Sequence, residues 1–126
     1  MRQGRTNGRS GRRDSGKEQA LYSGLVRLHI LHHAAREGIF GLGMIEELAR
    51  HGYKLSPGTL YPILHGLEQK GLLYSRERAR AGKIRRVYRA TAAGRRALAV
   101  AKGRIRELFG ELFEGQTRAR PPRRRA

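Results

Sequence analysis

The 126-residue chain contains no cysteine and no tryptophan. Without cysteine there is no disulfide framework, no thiol nucleophile and no thiolate metal site, a pattern that suits a reducing cytosol. Without tryptophan, any stacking surface must be built from five tyrosines and three phenylalanines. Acids are scarce too: 10 Asp and Glu stand against 28 Lys and Arg, for a formal net charge of +18. No apolar run approaches the roughly 18–20 residues of a membrane span, and no signal-like apolar stretch precedes Leu21. No carboxylate pair or nucleophile–base constellation appears, and the glycines of Gly38–Gly43 lack the lysine of a phosphate loop. These absences argue against an enzyme, a cofactor and a membrane protein. The excess of cations points to polyanions, nucleic acid first, and to a cytoplasmic, nucleoid-associated location.

The charge is not confined to one place. Residues 1–17 alternate arginine with Gly, Ser, Asn and Gln, and residues 115–126 are rich in arginine and proline. Neither stretch has the apolar content to offset its ordering entropy, so both read as disordered basic tails. The stretch between them is also net basic. It divides into a DNA-binding unit over 18–91 and a terminal helix over 92–114.

The middle of the chain is organised around Leu55–Leu73. Ser56 suits an N-cap and Pro57 the first helical position, where its missing N–H is no loss. Leu60, Ile63, Leu64 and Leu67 make one apolar stripe, and Gly71 reads as a left-handed stop. Pro62 removes one backbone hydrogen bond and favours a kink. The outer face presents Thr59, Tyr61, Pro62, His65 and Gln69, polar or aromatic but nearly uncharged. A shorter helix over about Gly43–His51, with Leu42, Ile45, Leu48 and Ala49 inward, precedes it. Two such helices with a brief connection describe a helix-turn-helix.

Beyond Gly71 the pattern turns extended. Leu72–Arg78 and Ile84–Ala90 read as strands joined by Ala79–Lys83, a hairpin crowded with arginine. Basic edges discourage strand aggregation, but this density exceeds that need and favours phosphate contact. The expected fold is mainly α with a small β-hairpin, a winged helix-turn-helix plus a C-terminal helix. Candidate DNA contacts are Lys54, Ser56, Thr59, Tyr61, His65, Arg78, Arg80, Lys83, Arg85 and Arg86.

Two further helices carry more apolar surface than a small monomer can cover. In Glu18–Glu37, Leu21, Leu25, Leu28, His32 and Ala35 form one stripe, and Tyr22, Val26, Ile30 and Ala34 a second. Thr91 caps a helix reaching Glu114, whose Leu98, Ala101, Ile105, Leu108 and Leu112 keep the three-and-four spacing of a coiled-coil seam. A homodimer is expected, with Leu25, Ile30, Leu98, Ala101, Ile105, Leu108, Phe109 and Leu112 at its interface. His29, His32 and His33 have metal-ligand spacing, yet no carboxylate is interleaved and His51 and His65 lie on other segments. Interface packing is the preferred role for these histidines, and no metal site is expected.

Ser56-Pro57-Gly58-Thr59-Leu60-Tyr61-Pro62-Ile63-Leu64 and the residues through Leu73 resemble the signature of the PadR family of bacterial transcriptional regulators. Gly41–Leu48 resembles the family's second helix, and Arg86–Arg95 its strand-to-last-helix junction, so the resemblance covers about Leu21–Leu112. Gly43 stands where the family often has Tyr, and Ala92 where Glu is common. The resemblance implies a dimeric repressor of the short form with one C-terminal helix, which packs on the first helix of the other subunit. It also implies major-groove contacts from Ser56, Thr59 and Tyr61. A small aromatic effector at the dimer interface, met by Tyr22, Phe40, Phe109 and Phe113 in the absence of Trp, is a further implication. The competing function is a nucleoid-type architectural protein that binds any double-stranded DNA through charge.

Overall fold

The computed structural model describes residues 20–114. The tails expected over 1–17 and 115–126 lie outside that range, as does the side chain of Arg80. Helix α1 occupies 20–36, α2 Gly41–Arg50, α3 Pro57–Gln69, β1 Leu73–Arg80, β2 Lys83–Ala90 and α4 Ala92–Phe109. A π-helical turn over Gly110–Glu114 continues α4. The architecture is the expected one, mostly helical with one antiparallel hairpin.

The apolar stripe of α3 works as the residues imply. Leu60, Leu64 and Leu67 are buried, with Ile63 packed beside them. Around them close Val26, Ile30 and Ala34 of α1, Leu48 of α2 and Tyr88 of β2, all at most 5% exposed. Burial pushes the Tyr88 phenol above its ordinary pKa, so it stays neutral in the core. Helices α2 and α3 both end on left-handed glycines. Gly52 (φ +92°) and Gly71 (φ +78°) let the following N–H groups of Tyr53 and Leu72 reach back to Leu48 and Leu67.

Three local expectations need correcting. Helix α2 begins at Gly41 rather than Gly43, which rotates its inner face to Gly41, Met44 and Leu48. Leu42 (58% exposed) and Ala49 therefore point outward. Ser56 occupies the N-cap position with Pro57 behind it, but its side chain makes no capping bond and instead meets the Thr59 hydroxyl at 3.4 Å. The strands are longer than expected because their connection is only Ala81-Gly82, with φ of +52° and +79°. Positive φ at both central residues is the two-residue turn whose twist matches a β-hairpin. One contact was not foreseen: Ile39 bridges Tyr88 through two backbone hydrogen bonds of 2.9 and 2.7 Å, seating the α1–α2 connection on the outer edge of β2.

The junction between wing and last helix is pinned by Thr91. Its hydroxyl donates to the carbonyl of Gly71 (2.6 Å) and accepts from the N–H of Gly94 (2.9 Å), while its own N–H donates to Leu72 (3.1 Å). A Cβ at Gly94 would run into the carbonyl oxygen of Leu72. Gly94→Ala is therefore expected to destabilise the protein by about 1–3 kcal/mol through forced backbone movement. Gly66→Ala, in α3 with open space around it, is expected to gain up to about 1 kcal/mol from helix propensity. Denaturant unfolding of the two variants checks this, and equal effects of one sign would contradict it.

Candidate nucleic-acid interface

Burial of one side of α3 fixes what the other side offers. Ser56, Pro62, His65 and Gln69 are exposed and Thr59 is half-buried. Lys54, on the approach to the helix, is also exposed. Tyr61 is different: its ring packs on the core, and its hydroxyl lies where a Cβ at Gly41 would be. It couples α3 to the start of α2, with its ring centroid 6.4 Å from that of His65. The outer face of α3, with Thr59, Pro62, His65 and Gln69, carries no Asp, Glu, Lys or Arg.

The hairpin supplies charge in a sorted way. Its register sets Arg78 opposite Arg85, Arg80 opposite Lys83 and Glu77 opposite Arg86. Strand alternation then places Arg76, Arg78, Lys83, Arg85 and Arg89 on one face, with Tyr74 and Val87. The other face holds Arg86, whose guanidinium donates to Ser75 (3.0 Å) and Glu77 (3.2 Å), and Ser75 donates in turn to Glu68 of α3 (2.8 Å). Arg86 thus braces the wing against α3. Arg85 lies 4.5 Å over the ring of Phe40, at the N-terminus of α2. Like charges directly opposite on a ladder are destabilising, so the Arg78–Arg85 register weakens the free protein.

Of the ten candidate DNA contacts, Lys54, Ser56 and His65 are exposed and Thr59 half-buried on or just before α3, and Arg78, Lys83 and Arg85 share the cationic face of the wing. Tyr61 is half-buried in packing, Arg86 is an exposed brace, and the side chain of Arg80 lies outside the described residues. Arg76 and Arg89 share the cationic face and were left out of the candidates; simple strand alternation would have included them. The proposed dimer residues divide likewise. Leu25, Ile105, Leu108, Phe109 and Leu112 are 42–52% exposed and Ala101 is half-buried. Ile30 (0%) and Leu98 (8%) are covered by their own chain and have almost no surface to give a partner. Ile30 continues the Val26 stripe into the core, and Leu98 belongs to the first turns of α4, which still lie on the domain.

The aromatic residues named for an effector are not gathered in one protomer. Tyr22 packs edge-on to Tyr53, Phe40 lies under Arg85, and Phe109 pairs with Phe113 at 4.8 Å. The histidines of α1 are also regrouped. His29 and His33 meet His51 at the C-cap of α2, with ring nitrogens within 4.8 Å of one another, whereas His32 is not part of that group. Among the described residues, no helix is long and apolar enough to cross a membrane.

Two packed helices, a second of which keeps a free polar face, followed by a basic hairpin, define a winged helix-turn-helix. Residues 30–100 match the model of the PadR-like family of transcriptional regulators, and the chain belongs to that family. It is 55% identical over 92 residues to a transcriptional regulator of Mycobacterium tuberculosis, covering 73% of this chain and 86% of that protein. A PadR family regulator from Eggerthella lenta is 30% identical with a TM-score of 0.67, covering 84% of this chain and 96% of its own. A Streptococcus regulator, at 21% identity and TM-score 0.69, shares the fold over 78% of this chain and 97% of that one. Membership makes the chain a DNA-binding transcriptional regulator rather than an enzyme.

The charge register separates stability from binding. Arg78→Glu is expected to raise stability, because it replaces a repulsive cross-strand pair with an attractive one worth roughly 0.2–1 kcal/mol. The same change is expected to weaken binding to any DNA and to flatten its salt dependence by about one counterion. Thermal melts and DNA titrations across salt concentrations check both. Loss of stability together with unchanged DNA affinity would contradict the assignment.

Proposed function

We propose that the protein is a dimeric repressor that reads a palindromic operator with α3 and holds it with the wing. The observation that carries this reading is a division of labour between two elements. Helix α3 presents an uncharged polar outer face, and the hairpin face opposite the one that braces α3 gathers cations with no acid among them. Selectivity then comes from Ser56, Thr59 and His65. Affinity comes from Arg76, Arg78, Lys83, Arg85 and Arg89, with Lys54, Arg80 and the basic tails adding to it. Charge alone binds DNA without preference, and base-edge contacts supply the choice. Such a protein works in the cytoplasm, on the nucleoid.

The dimer is supported by apolar surface that the protomer leaves bare. Leu21 and Leu25 on α1, and Ile105, Leu108, Phe109, Leu112 and Phe113 on the far half of α4 and its π-helical continuation, are all more than 40% exposed. Pairing α4 with α1 of a second copy covers both stripes at once. It also positions two reading helices for half-sites about one helical turn, roughly 10 bp, apart. An aromatic effector between Phe109, Phe113 and the partner is the form of release this interface suits, since the two rings are half-exposed and already paired.

Competition between operator and random DNA tests the reading. His65→Ala is expected to lower operator affinity by about 1–3 kcal/mol, or roughly 5- to 150-fold, while random DNA binds as before. Equal loss on both would favour an architectural protein. Leu108→Asp is expected to yield a folded monomer in sedimentation and to lose tight operator binding. A Leu108→Asp protein that remains dimeric would overturn the proposed interface.

A further inference from the structure

Two helical pairs of side chains converge between α1 and α2. His29 and His33 stand one turn apart on α1, as do Glu47 of α2 and His51 at its C-cap. Helix packing brings ring nitrogens of the three histidines within 4.8 Å of one another. Oε2 of Glu47 lies 3.1 Å from Nε2 of His51 and 3.5 Å from Nε2 of His33. Its other oxygen, Oε1, accepts a 2.8 Å bond from Arg50. The His29 ring stacks on that of His51 with centroids 4.7 Å apart.

Ion pairing of Glu47 with protonated histidines explains only part of this group. His29 has no share in the carboxylate, and burial, followed by the charges of His51, His33 and His32, holds its pKa below the ordinary value. Its ring stands instead against the other two imidazoles, with ring nitrogens of the three histidines converging on one point between the helices. Hydrogen bonds from Arg50 and then His51 hold the Glu47 carboxyl below its usual range, so it is ionised. A hydrophobic contact between two helices needs none of these groups.

We propose that His29, His33, His51 and Glu47 form a binding site for a late first-row divalent transition-metal ion of the zinc class. Three nitrogen donors and one carboxylate suit zinc, cobalt, nickel or copper, whereas magnesium and calcium prefer all-oxygen sites. For four ligands with bonds of about 2.0–2.2 Å, donors stand roughly 3.3 Å apart, so the three imidazoles draw in from within 4.8 Å of one another, while Oε2 of Glu47 already stands at about that spacing from His33 and His51 and swings toward His29. Rotation of partly exposed side chains supplies that movement. Arg50 on Oε1 leaves Oε2 as the metal-facing atom and orients it, as outer partners of metal ligands do. His51 lines an open cleft of about 750 Å³ with Tyr22, Tyr53 and Lys54, which gives an ion a route in. His32, although adjacent in sequence, stands outside the group, and His65 sits on the outer face of α3.

The site is independent of the DNA-binding reading, because it forms within one chain and needs no DNA. The full chain, stripped with a chelator, is titrated with Zn²⁺ by calorimetry and with Co²⁺ by visible absorption. One ion per chain and the intense absorption of four-coordinate Co²⁺ are expected. Losing a ligand is expected to cost at least about 100-fold in affinity, beyond the 10–100-fold typical of outer-partner changes. That loss should appear in His51→Ala, Glu47→Gln and His29→Gln, and not in His32→Ala or His65→Ala. His51 is an exposed residue at the end of α2, so metal-free melts of His51→Ala should match the parent and exclude misfolding as the cause. The proposal is overturned by absence of binding, by binding that survives both His51→Ala and His29→Gln, or by equal affinity for Mg²⁺.

Discussion

Arg78 faces Arg85 across a two-stranded ladder, and Arg80 faces Lys83 one step nearer the turn. A chain with 28 basic and 10 acidic residues cannot pair all its cations internally. One side of the wing gathers Arg76, Arg78, Lys83, Arg85 and Arg89 with no acid among them, and acids near the wing serve elsewhere. Glu77 and Glu68 help brace the hairpin to α3 through Arg86 and Ser75. This repulsion is tolerated because the hairpin is anchored at its base by buried Leu73, Tyr88 and Ala90, and by Ile39 along β2. Anchored below and repelling above, the wing suits an anionic partner that relieves the repulsion, as the phosphates of DNA do.

The same anchoring serves α3. Its buried leucines fix the helix, Thr91 and Gly94 lock the following junction, and Tyr61 ties it to α2 against Gly41. What remains on the outer face is then free of structural duties. A residue such as His65 can change without cost to the core, whereas Tyr61 cannot. The two bare stripes, on α1 and on the far half of α4, are the other unfinished part of the protomer, and the proposed pairing of α4 with α1 of a second copy would cover both.

Much of this was legible in the residues. The helix from Pro57 to the left-handed Gly71, the apolar stripe of α3, the Thr91 cap and the basic hairpin all rest on short-range rules, and each holds. Errors arise where sequence-distant groups meet. The start of α2 depends on the close approach of Tyr61 to Gly41, which local pattern does not reveal. The bonds of Arg86 to Ser75 and Glu77 depend on the strand register, which its place in the sequence does not give. Ile30 and Leu98 look like interface residues by spacing, but tertiary packing covers them. The histidines are the sharpest case: His29, His32 and His33 are neighbours in sequence, yet packing replaces His32 with His51 and adds the carboxylate of Glu47.

The central claim is that a charge-bearing wing and a nearly neutral reading helix act together, twice over, on a symmetric DNA site. Footprinting the purified protein on the DNA upstream of its own gene tests it most directly. The account predicts protection of an inverted repeat whose half-sites are centred about one helical turn, roughly 10 bp, apart. Uniform protection along the fragment, without a repeat and without a preferred boundary, would contradict it.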